Sequence, residues 1–254
     1  SIRPHTLDDY VGQPQMVESL GIAVKAAKLQ GRPLPHVLLG GPPGLGKTSM
    51  AYVLAEEMGS SLVIATGPNL DKPRQLTDKL RGLESGDLFL LDEAHRMRSR
   101  VAEVLYSALE DGMIESQGKL RHNCNPIQLA PFTAVCATTH VGDLDAPLRD
   151  RMQLTFTLSH YSLDEIAEVI ARSAHIAGIQ ITHFAITALA QCSRGTPRIA
   201  NSLLFRARDY SLVKGQGIVT EELARASLES VGIDGLGLNE ADRRYLVTIF
   251  RSFG

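Results

Sequence analysis

One segment limits what this chain can fold into more than any other feature: residues 41–48 are GPPGLGKT and fit the pattern GxxxxGK[ST]. The segment follows directly on the apolar run Val37–Leu39 and directly precedes an amphipathic helical pattern that Gly59 closes. A strand, a glycine-rich loop and a helix in this order are typical of a phosphate-binding loop. We therefore predict an α/β fold that binds a nucleotide.

The residues of this loop have the chemistry that a nucleoside triphosphate requires. Glycines allow successive backbone N–H groups to face one anion, and the helix N-terminus adds its partial positive charge. Lys47 is expected to reach the outer phosphates, and Thr48 is expected to offer its hydroxyl to Mg²⁺. The residues expected to contact ATP or ADP in this segment are Pro43, Gly44, Leu45, Gly46, Lys47, Thr48 and Ser49.

A second apolar run, Leu88–Leu91, ends in two adjacent carboxylates, Asp92 and Glu93. Acids at the end of a buried strand are unfavourable unless a cation or a reacting group uses them. Asp92 is expected to support Mg²⁺, directly or through water, and Glu93 is expected to polarise the attacking water as a general base. The alternative is that both acids only cap the helix that follows.

Two threonines, Thr138 and Thr139, follow the fourth apolar run, next to where the acidic strand must lie in a parallel sheet. Either hydroxyl is a candidate to orient the attacking water or to contact the γ-phosphate. Simple hydrogen bonding at a strand end is the alternative for each of them.

Three arginines are candidates for contact with a phosphate. Arg149 and Arg151 lie in a polar turn, where they would be ordinary surface charges in a monomer. In a ring, one of them could enter the neighbouring subunit's site as an arginine finger. Arg198 follows Thr196-Pro197 and so falls in the first turn of a helix, where a cation opposes the helix dipole. An anionic partner, either a triphosphate or a carboxylate, would stabilise Arg198 there.

The pattern along the chain predicts a parallel α/β domain followed by a helical one. Four continuous apolar runs, separated by helical patterns, suit strands that are covered on both faces. These runs are Val37–Leu39, Leu62–Ala65, Leu88–Leu91 and Thr133–Ala137. After about Tyr161, helix start signals replace the strand signal, at Ser162, Thr196, Thr220 and Asn239. We place the nucleotide-binding domain at 1–160, a small helical domain at 161–230 and the beginning of a third domain at 231–254.

Composition limits the partners and the compartment. A formal net charge of -2 and a pI near 6.4 lack the basic excess of a protein that coats nucleic acid, so any DNA contact must be local. The sequence has three cysteines, and none of them forms a CxxC pair: Cys124, Cys136 and Cys192. This argues against a disulfide framework or a zinc site and favours a reducing cytosol. No apolar run approaches the roughly 18 residues that a membrane span requires.

The letters of residues 92–95, DEAH, also match the name of a helicase class. Such helicases need a second RecA-like half with its own strands and arginine motif. The chain after position 160 shows helical patterns instead, so we reject this interpretation and expect His95 to be a surface or supporting residue.

Taken together, the motifs resemble the RuvB family of AAA+ ATPases from the first residues of the chain to the last. The segments that carry the resemblance are IRP (2–4), YVGQP (10–14), HVLLGGPPGLGKT (36–48), LLDEAHR (90–96), PFTAVCATT (131–139), PLRDR (147–151) and RGTPRIAN (194–201). The last two segments separate this family from clamp-loader subunits, whose corresponding arginine motif usually reads SRC.

The resemblance implies an AAA+ P-loop NTPase with a central parallel sheet flanked by helices and a small all-α lid domain. It also implies a homohexameric ring that encircles duplex DNA and uses ATP and Mg²⁺ to pump it through a four-way junction held by RuvA. By motif, Arg151 would be the arginine finger, Thr139 the first sensor and Arg198 the second. The residues implied to line the adenine side are Ile2, Arg3, Tyr10, Val11 and Tyr161.

The sequence departs from the family pattern in a predicted hairpin at about 112–131. RuvB proteins usually have a DIMIG-like tip there that docks RuvA, whereas this chain has GMIESQGKLRHNCNPIQLAP. By the same resemblance, residues 231–254 would be the opening of a winged-helix DNA-binding domain. Two alternative functions stay open: a clamp-loader-like switch, and a structural module that binds ATP without turnover, against which the intact Lys47, Glu93 and Arg151 argue.

Overall fold

The computed structural model describes residues 2–114 and 126–253. The chain divides into two compact units. The first unit is Pro4–Ser159, and the second unit consists of Ser1–Arg3 together with His160–Gly254.

The first unit is built on a parallel five-stranded sheet in the order β2-β3-β6-β1-β7. The strands of the chain are β1 (Val37–Gly40), β2 (Leu62–Thr66), β3 (Leu88–Asp92), β4 (Met113–Ile114), β5 (Ile127–Gln128), β6 (Thr133–Thr138) and β7 (Leu154–Thr157). Because β6 lies between β1 and β3, the phosphate-binding loop after β1 and the carboxylates after β3 are separated by one strand. All five carboxyl ends meet at one edge of the sheet, where ligands of open α/β sheets bind.

The parallel α/β class and the four predicted strands are confirmed, and each strand extends one residue further than its apolar run. The prediction of four strands is incomplete, because β7 is a fifth strand that pairs with β1 at the edge of the sheet. The signal of β7 is weak because Leu154 and Phe156 are half-buried while Thr155 and Thr157 are exposed, so the strand contains no continuous apolar run.

Helices cover the sheet, and their apolar residues pack against it to form the core. Those of the first unit are α1 (Pro14–Gln30), α2 (Lys47–Met58), α3 (Pro73–Arg81), α4 (Ser99–Glu110) and α5 (Ala146–Asp150), with 3₁₀ turns at Gly67–Asn69, Ala94–Arg96 and Val141–Asp143. On β3, Leu88, Phe89, Leu90 and Leu91 are all fully buried. Burial of each such side chain contributes about 1.5 to 3 kcal/mol, so the packed strand fixes where Asp92 and Glu93 emerge.

Shortly after α4, the chain forms a short antiparallel pair of strands, β4 with β5. These strands fall inside the hairpin predicted at about 112–131. The segment between them, residues 115–125, lies outside the described residues, and with it most of the departure from the family pattern.

The second unit is helical over its described residues, apart from one isolated bridge between Ile181 and Val219. Its helices are α6 (Leu163–Ala177), α7 (His183–Cys192), α8 (Pro197–Lys214), α9 (Glu221–Glu229) and α10 (Glu240–Phe253). The predicted start signals are confirmed: Ser162 forms a capping box with Glu165, Thr220 caps α9, and Thr196 precedes α8. Within residues 160–253 there is no second sheet, which agrees with the rejection of the DEAH-box interpretation.

Candidate nucleotide-hydrolysis site

The loop between β1 and α2 has a backbone that only glycines adopt without strain. Gly41, Gly44 and Gly46 have φ angles of 126°, 83° and 105°. A Cβ atom at Gly41 would lie 2.5 Å from the carbonyl oxygen of Leu158. The missing side chains therefore let the backbone curl beneath the start of α2, as a phosphate-binding loop requires.

Lys47 begins α2 and lies mostly inside this loop. Its side chain is only 7% exposed, and its ammonium donates to the carbonyls of Gly41 at 2.6 Å and Pro42 at 2.8 Å. The hydroxyl of Tyr10 donates to the carbonyl of Gly46 at 3.3 Å, so one of the residues predicted for the adenine side does contact the loop. The ammonium is thus held against the backbone of the phosphate-binding loop.

Thr48 and Asp92 come together across the sheet edge. The Thr48 hydroxyl donates to one carboxylate oxygen of Asp92 at 3.0 Å, and the other oxygen accepts from the Glu93 N–H at 2.9 Å. A hydroxyl and a carboxylate are the hard oxygen donors that Mg²⁺ prefers, and Mg²⁺ takes its remaining ligands from water and phosphate. Among residues 2–114 and 126–253, no group of three or more His, Cys, Asp or Glu side chains is placed so that it could hold a metal ion.

Glu93 has a left-handed backbone, with φ 50° and ψ 45°, which is uncommon for a residue with a side chain. Gly67 makes room for this turn, because a Cβ atom there would lie 2.4 Å from the Glu93 carbonyl oxygen. The side chain of Glu93 contacts Arg96, whereas that of Asp92 contacts Thr48. The two carboxylates therefore have different partners, although they are adjacent in sequence.

The carboxylate of Glu93 is paired with Arg96, whose guanidinium donates to it at 3.0 Å. The side chains are 47% and 59% exposed, so water screens the pair and it contributes at most about 1 kcal/mol. Sequence reasoning did not single out Arg96, because an arginine three residues after an acid is also an ordinary surface pattern. The pair is weak enough for Glu93 to exchange Arg96 for a water molecule.

The two threonines after β6 have different surroundings. The Thr138 hydroxyl is buried, lies 2.9 Å from Nδ1 of His95 and accepts from the N–H of His140 at 3.0 Å. The Thr139 hydroxyl is half-buried and lies 2.7 Å from Nδ1 of His140. Thr138 therefore ties β6 to the turn that carries Glu93, whereas the partner of Thr139 is His140. The role of Thr139 as first sensor stays a prediction.

His95 connects these elements. Burial lowers the pKa of its imidazole, the charge of nearby His140 lowers it further, and Glu93 and Asp143 oppose the shift. The ring centroids of His95 and His140 are 4.8 Å apart. The contact with the Thr138 hydroxyl agrees with the supporting role expected of His95. The sequence could not reveal this contact because 43 residues separate the two residues.

Arg151 directly follows α5 and folds back onto its own unit. Its guanidinium donates to the carbonyl of Pro147 at 2.6 Å, pairs with the carboxylate of Glu110 and lies 5.7 Å from the ring centroid of Tyr106. Arg149, the other candidate finger, is exposed. The assignment of Arg151 over Arg149 rests on the family motif and stays a prediction.

The remaining predicted contacts fall in different units. Val11 is half-buried in the first unit. In the second unit, the guanidinium of Arg172 donates to the carbonyls of Ile2 at 3.1 Å and Arg3 at 3.2 Å, and the N–H of Tyr161 donates to a carbonyl of the loop before α8 at 2.9 Å. Arg198 is exposed in the first turn of α8, as predicted. Contact of these residues with a nucleotide stays a prediction.

None of the helices in the described part of the chain is both long enough and apolar enough to cross a bilayer.

The family models and the curated relatives that match this chain all belong to one family. The model of the Holliday junction DNA helicase RuvB P-loop domain matches residues 2–158, and that of the RuvB AAA lid domain matches residues 161–234. Among curated relatives, the Holliday junction branch migration complex subunit RuvB of Picosynechococcus sp. is 46% identical over 255 residues, which cover 100% of this chain and 70% of that protein. The protein of the same name from Salinibacter ruber is 43% identical over 99% of this chain and 74% of its own length.

Solved structures agree. The Thermotoga maritima RuvB Holliday junction branch migration motor matches with a TM-score of 0.89 at 39% identity, over 99% of this chain and 80% of that one. A mutant of the same motor matches with a TM-score of 0.91.

Proposed function

The chain belongs to the RuvB family of AAA+ ATPases, and from this premise we propose that it hydrolyses ATP to drive branch migration of Holliday junctions in recombination and DNA repair. The observation that carries the chemistry is the hydrogen bond between Thr48 and Asp92 at the carboxyl edge of the sheet, with Lys47 and Glu93 directly beside them in the chain. Such an edge holds a triphosphate, a metal ion and a base in one place.

In the proposed reaction, Lys47 and the loop N–H groups bind the β- and γ-phosphates of ATP. Thr48 and Asp92 would hold Mg²⁺, which neutralises charge on the phosphates. Glu93 accepts a proton as water attacks the γ-phosphorus, the bond to the bridging oxygen breaks, and ADP and phosphate leave. Thr139 is proposed to orient the water or the γ-phosphate.

The proposed assembly is a homohexamer around duplex DNA, working with RuvA at the four-way junction. The names of the relatives support it, since they describe a subunit of a branch migration complex and a motor. In this ring, Arg151 would stabilise the transition state in the neighbouring subunit's site, and Ile2, Arg3, Tyr10, Val11, Tyr161 and Arg198 would contact the nucleotide. A DNA substrate supports the cytoplasm as the place of action.

The two alternatives lose support for different reasons. The matched family models are those of RuvB, so a clamp-loader-like switch has no specific observation in its favour. A structural module without turnover would need no base, yet Glu93 stands beside the Thr48–Asp92 pair with a carboxylate that a weak surface ion pair can release.

The direct test is an ATP-dependent branch migration assay on a synthetic four-way junction, with the full-length chain and its cognate RuvA. We expect branch migration to separate the synthetic junction into duplexes only when ATP and Mg²⁺ are present, and we expect no separation with Lys47→Ala. Hydrolysis without migration, in the presence of RuvA, would contradict the proposed function. Migration that RuvA does not enhance would contradict only the proposed RuvA partnership.

The finger can be tested separately by mixing subunits. Lys47→Ala and Arg151→Ala are each expected to abolish hydrolysis, in the second case by about three to five powers of ten. Their mixture should regain activity, because an Arg151→Ala site can receive a guanidinium from a Lys47→Ala neighbour. A mixture that stays inactive would contradict a finger acting between subunits.

A further inference from the structure

The short helix α5 is fastened at both ends to consecutive turns of α4. At its start, the Tyr106 hydroxyl donates to the carboxylate of Asp145 at 2.8 Å. At its end, the carboxylate of Glu110 accepts from the guanidinium of Arg151. Tyr106 and Glu110 are four residues apart on one face of α4, which suits the spacing of the two ends of α5.

The guanidinium of Arg151 does not project into solvent. One terminal nitrogen donates to the Pro147 carbonyl, the other donates to Glu110, and the Tyr106 ring lies beside the group. Only 23% of the side chain is exposed. An arginine that serves a neighbouring subunit must present these same nitrogens outward, so the observed conformation is a withdrawn one.

The withdrawn conformation is not fully satisfied. Nε of Arg151 is buried and finds no hydrogen-bond partner among the residues that the structure describes. A buried donor without a partner disfavours the conformation that contains it. The contacts of its two terminal nitrogens and of the Tyr106 ring must together offset this penalty if Arg151 is to stay folded back.

We propose that Glu110 is a positioning residue that holds Arg151 against α4 and releases it when the guanidinium enters the neighbouring subunit's site. This inference rests on the proposed function, because it requires Arg151 to act between subunits. Of the hydrogen-bond partners of Arg151, Pro147 lies on α5 itself, so Glu110 supplies the only such contact from another element in the described chain. The γ-phosphate replaces the Glu110 carboxylate as the anionic partner.

The exposure of Glu110 explains why Arg151 can separate from it at a small free-energy cost. Its side chain is 59% exposed, so water competes with the guanidinium and screens the pair. Exposed ion pairs of this kind bias an equilibrium by about two- to fivefold. Removing the charge of Glu110 should increase the share of presented Arg151 by about that factor.

Mixed rings isolate this effect from the rest of the catalytic machinery. Donor subunits carry Lys47→Ala, so they supply Arg151 but do not hydrolyse ATP; acceptor subunits carry Arg151→Ala and supply the intact nucleotide site. Adding Glu110→Gln to the donor should raise hydrolysis in the mixture about two- to fivefold. The gain should appear in kcat, with KM for ATP unchanged, because the acceptor site itself is not altered.

Two further variants complete the test. Glu103→Gln in the donor removes an exposed carboxylate seven residues earlier on the same helix. The hydrogen bonds and the ion pair of Arg151 go to Pro147 and Glu110, so this change should leave the mixed rate unchanged. Glu110→Ala should raise the rate as Glu110→Gln does, since both remove the charge. An equal or lower rate with either Glu110 variant overturns the proposal, whereas mixtures that are inactive with every donor overturn the finger assignment instead.

Discussion

The two edges of the sheet have the same kinds of polar residue, but at the carboxyl edge these residues have side-chain partners as well as backbone ones. Thr133 begins β6 at the amino edge, and its buried hydroxyl donates to the carbonyl of Leu34 at 2.6 Å. Thr138 ends the same strand at the carboxyl edge, and its hydroxyl lies 2.9 Å from a side-chain nitrogen of His95.

The aspartates at the two ends of β3, Asp87 just before the strand and Asp92 at its last position, show the same contrast. Asp87 precedes the strand, and its carboxylate accepts from the backbone N–H groups of Ser61 at 3.2 Å and Glu84 at 2.8 Å. Asp92 ends the strand and accepts from the Thr48 hydroxyl at 3.0 Å. Both carboxylates are hydrogen-bonded, but only the second has a side-chain partner that can move.

The difference separates stability from chemistry. A backbone partner is fixed by the fold, so a polar group bonded to it cannot turn elsewhere without disrupting the sheet. A side-chain partner can rotate away, as Arg96 can from Glu93 and Thr48 from Asp92. We infer that the amino edge holds the sheet together and that the carboxyl edge exchanges its contacts for a ligand.

The largest effects that test this division between the edges are expected when one carboxylate at each edge is replaced by its amide. Glu93→Gln cannot accept a proton, so we expect ATP hydrolysis to fall by about two to four powers of ten while ATP still binds. Rates of phosphate release and nucleotide titrations measure the two effects. Rapid hydrolysis by this variant would remove Glu93 from the role of base.

Asp87→Asn is the matched change at the amino edge. An amide cannot accept both N–H groups, so we expect unfolding free energy to decrease by about 1 to 3 kcal/mol with kcat nearly unchanged. Denaturant unfolding and steady-state kinetics check this. A large loss of kcat in a folded Asp87→Asn protein would show that the two edges are not separate.

The sequence was sufficient for the parts of the site that depend on local pattern. The phosphate-binding loop, the strand that ends in Asp92 and the first turn of α8 around Arg198 all follow from apolar runs, glycines and capping residues, and the structure has them as predicted.

The parts that sequence reasoning missed depend on distance along the chain. The pairing of Arg151 with Glu110 joins residues 41 positions apart, and the contact of Thr138 with His95 joins residues 43 apart. Neither residue type nor spacing predicts such contacts, because they arise only when α4, α5 and β6 have packed. The strand β7 was missed for another reason, since its half-exposed residues give no continuous apolar run.

A second pair of variants sharpens the comparison within one strand. Thr138→Val removes the hydroxyl that ties β6 to His95, so the turn that carries Glu93 loses a support, and we expect kcat to fall by roughly ten- to a hundredfold. Thr133→Val leaves the Leu34 carbonyl without its donor and should decrease unfolding free energy by about 1 to 3 kcal/mol with little change in kcat. Equal kinetic effects of the two changes would contradict the division between the edges.

The smallest expected effect concerns His36, which precedes β1 at the amino edge and whose Nδ1 accepts from the N–H of Ala134 at 3.0 Å. Burial lowers its pKa below 6.5, and a hydrogen bond to the backbone of Leu109 only partly opposes this shift. As pH falls below 6.5 the unfolded chain binds the proton first, so the stability contributed by neutral His36 is present above that pH and is lost as pH falls through the folded pKa. The slope cannot exceed about 1.4 kcal/mol per pH unit. His36→Asn keeps an acceptor for Ala134 but does not titrate, so denaturant unfolding at several pH values should show a flatter profile for this variant, and an unchanged profile would mean that another group sets the acid sensitivity.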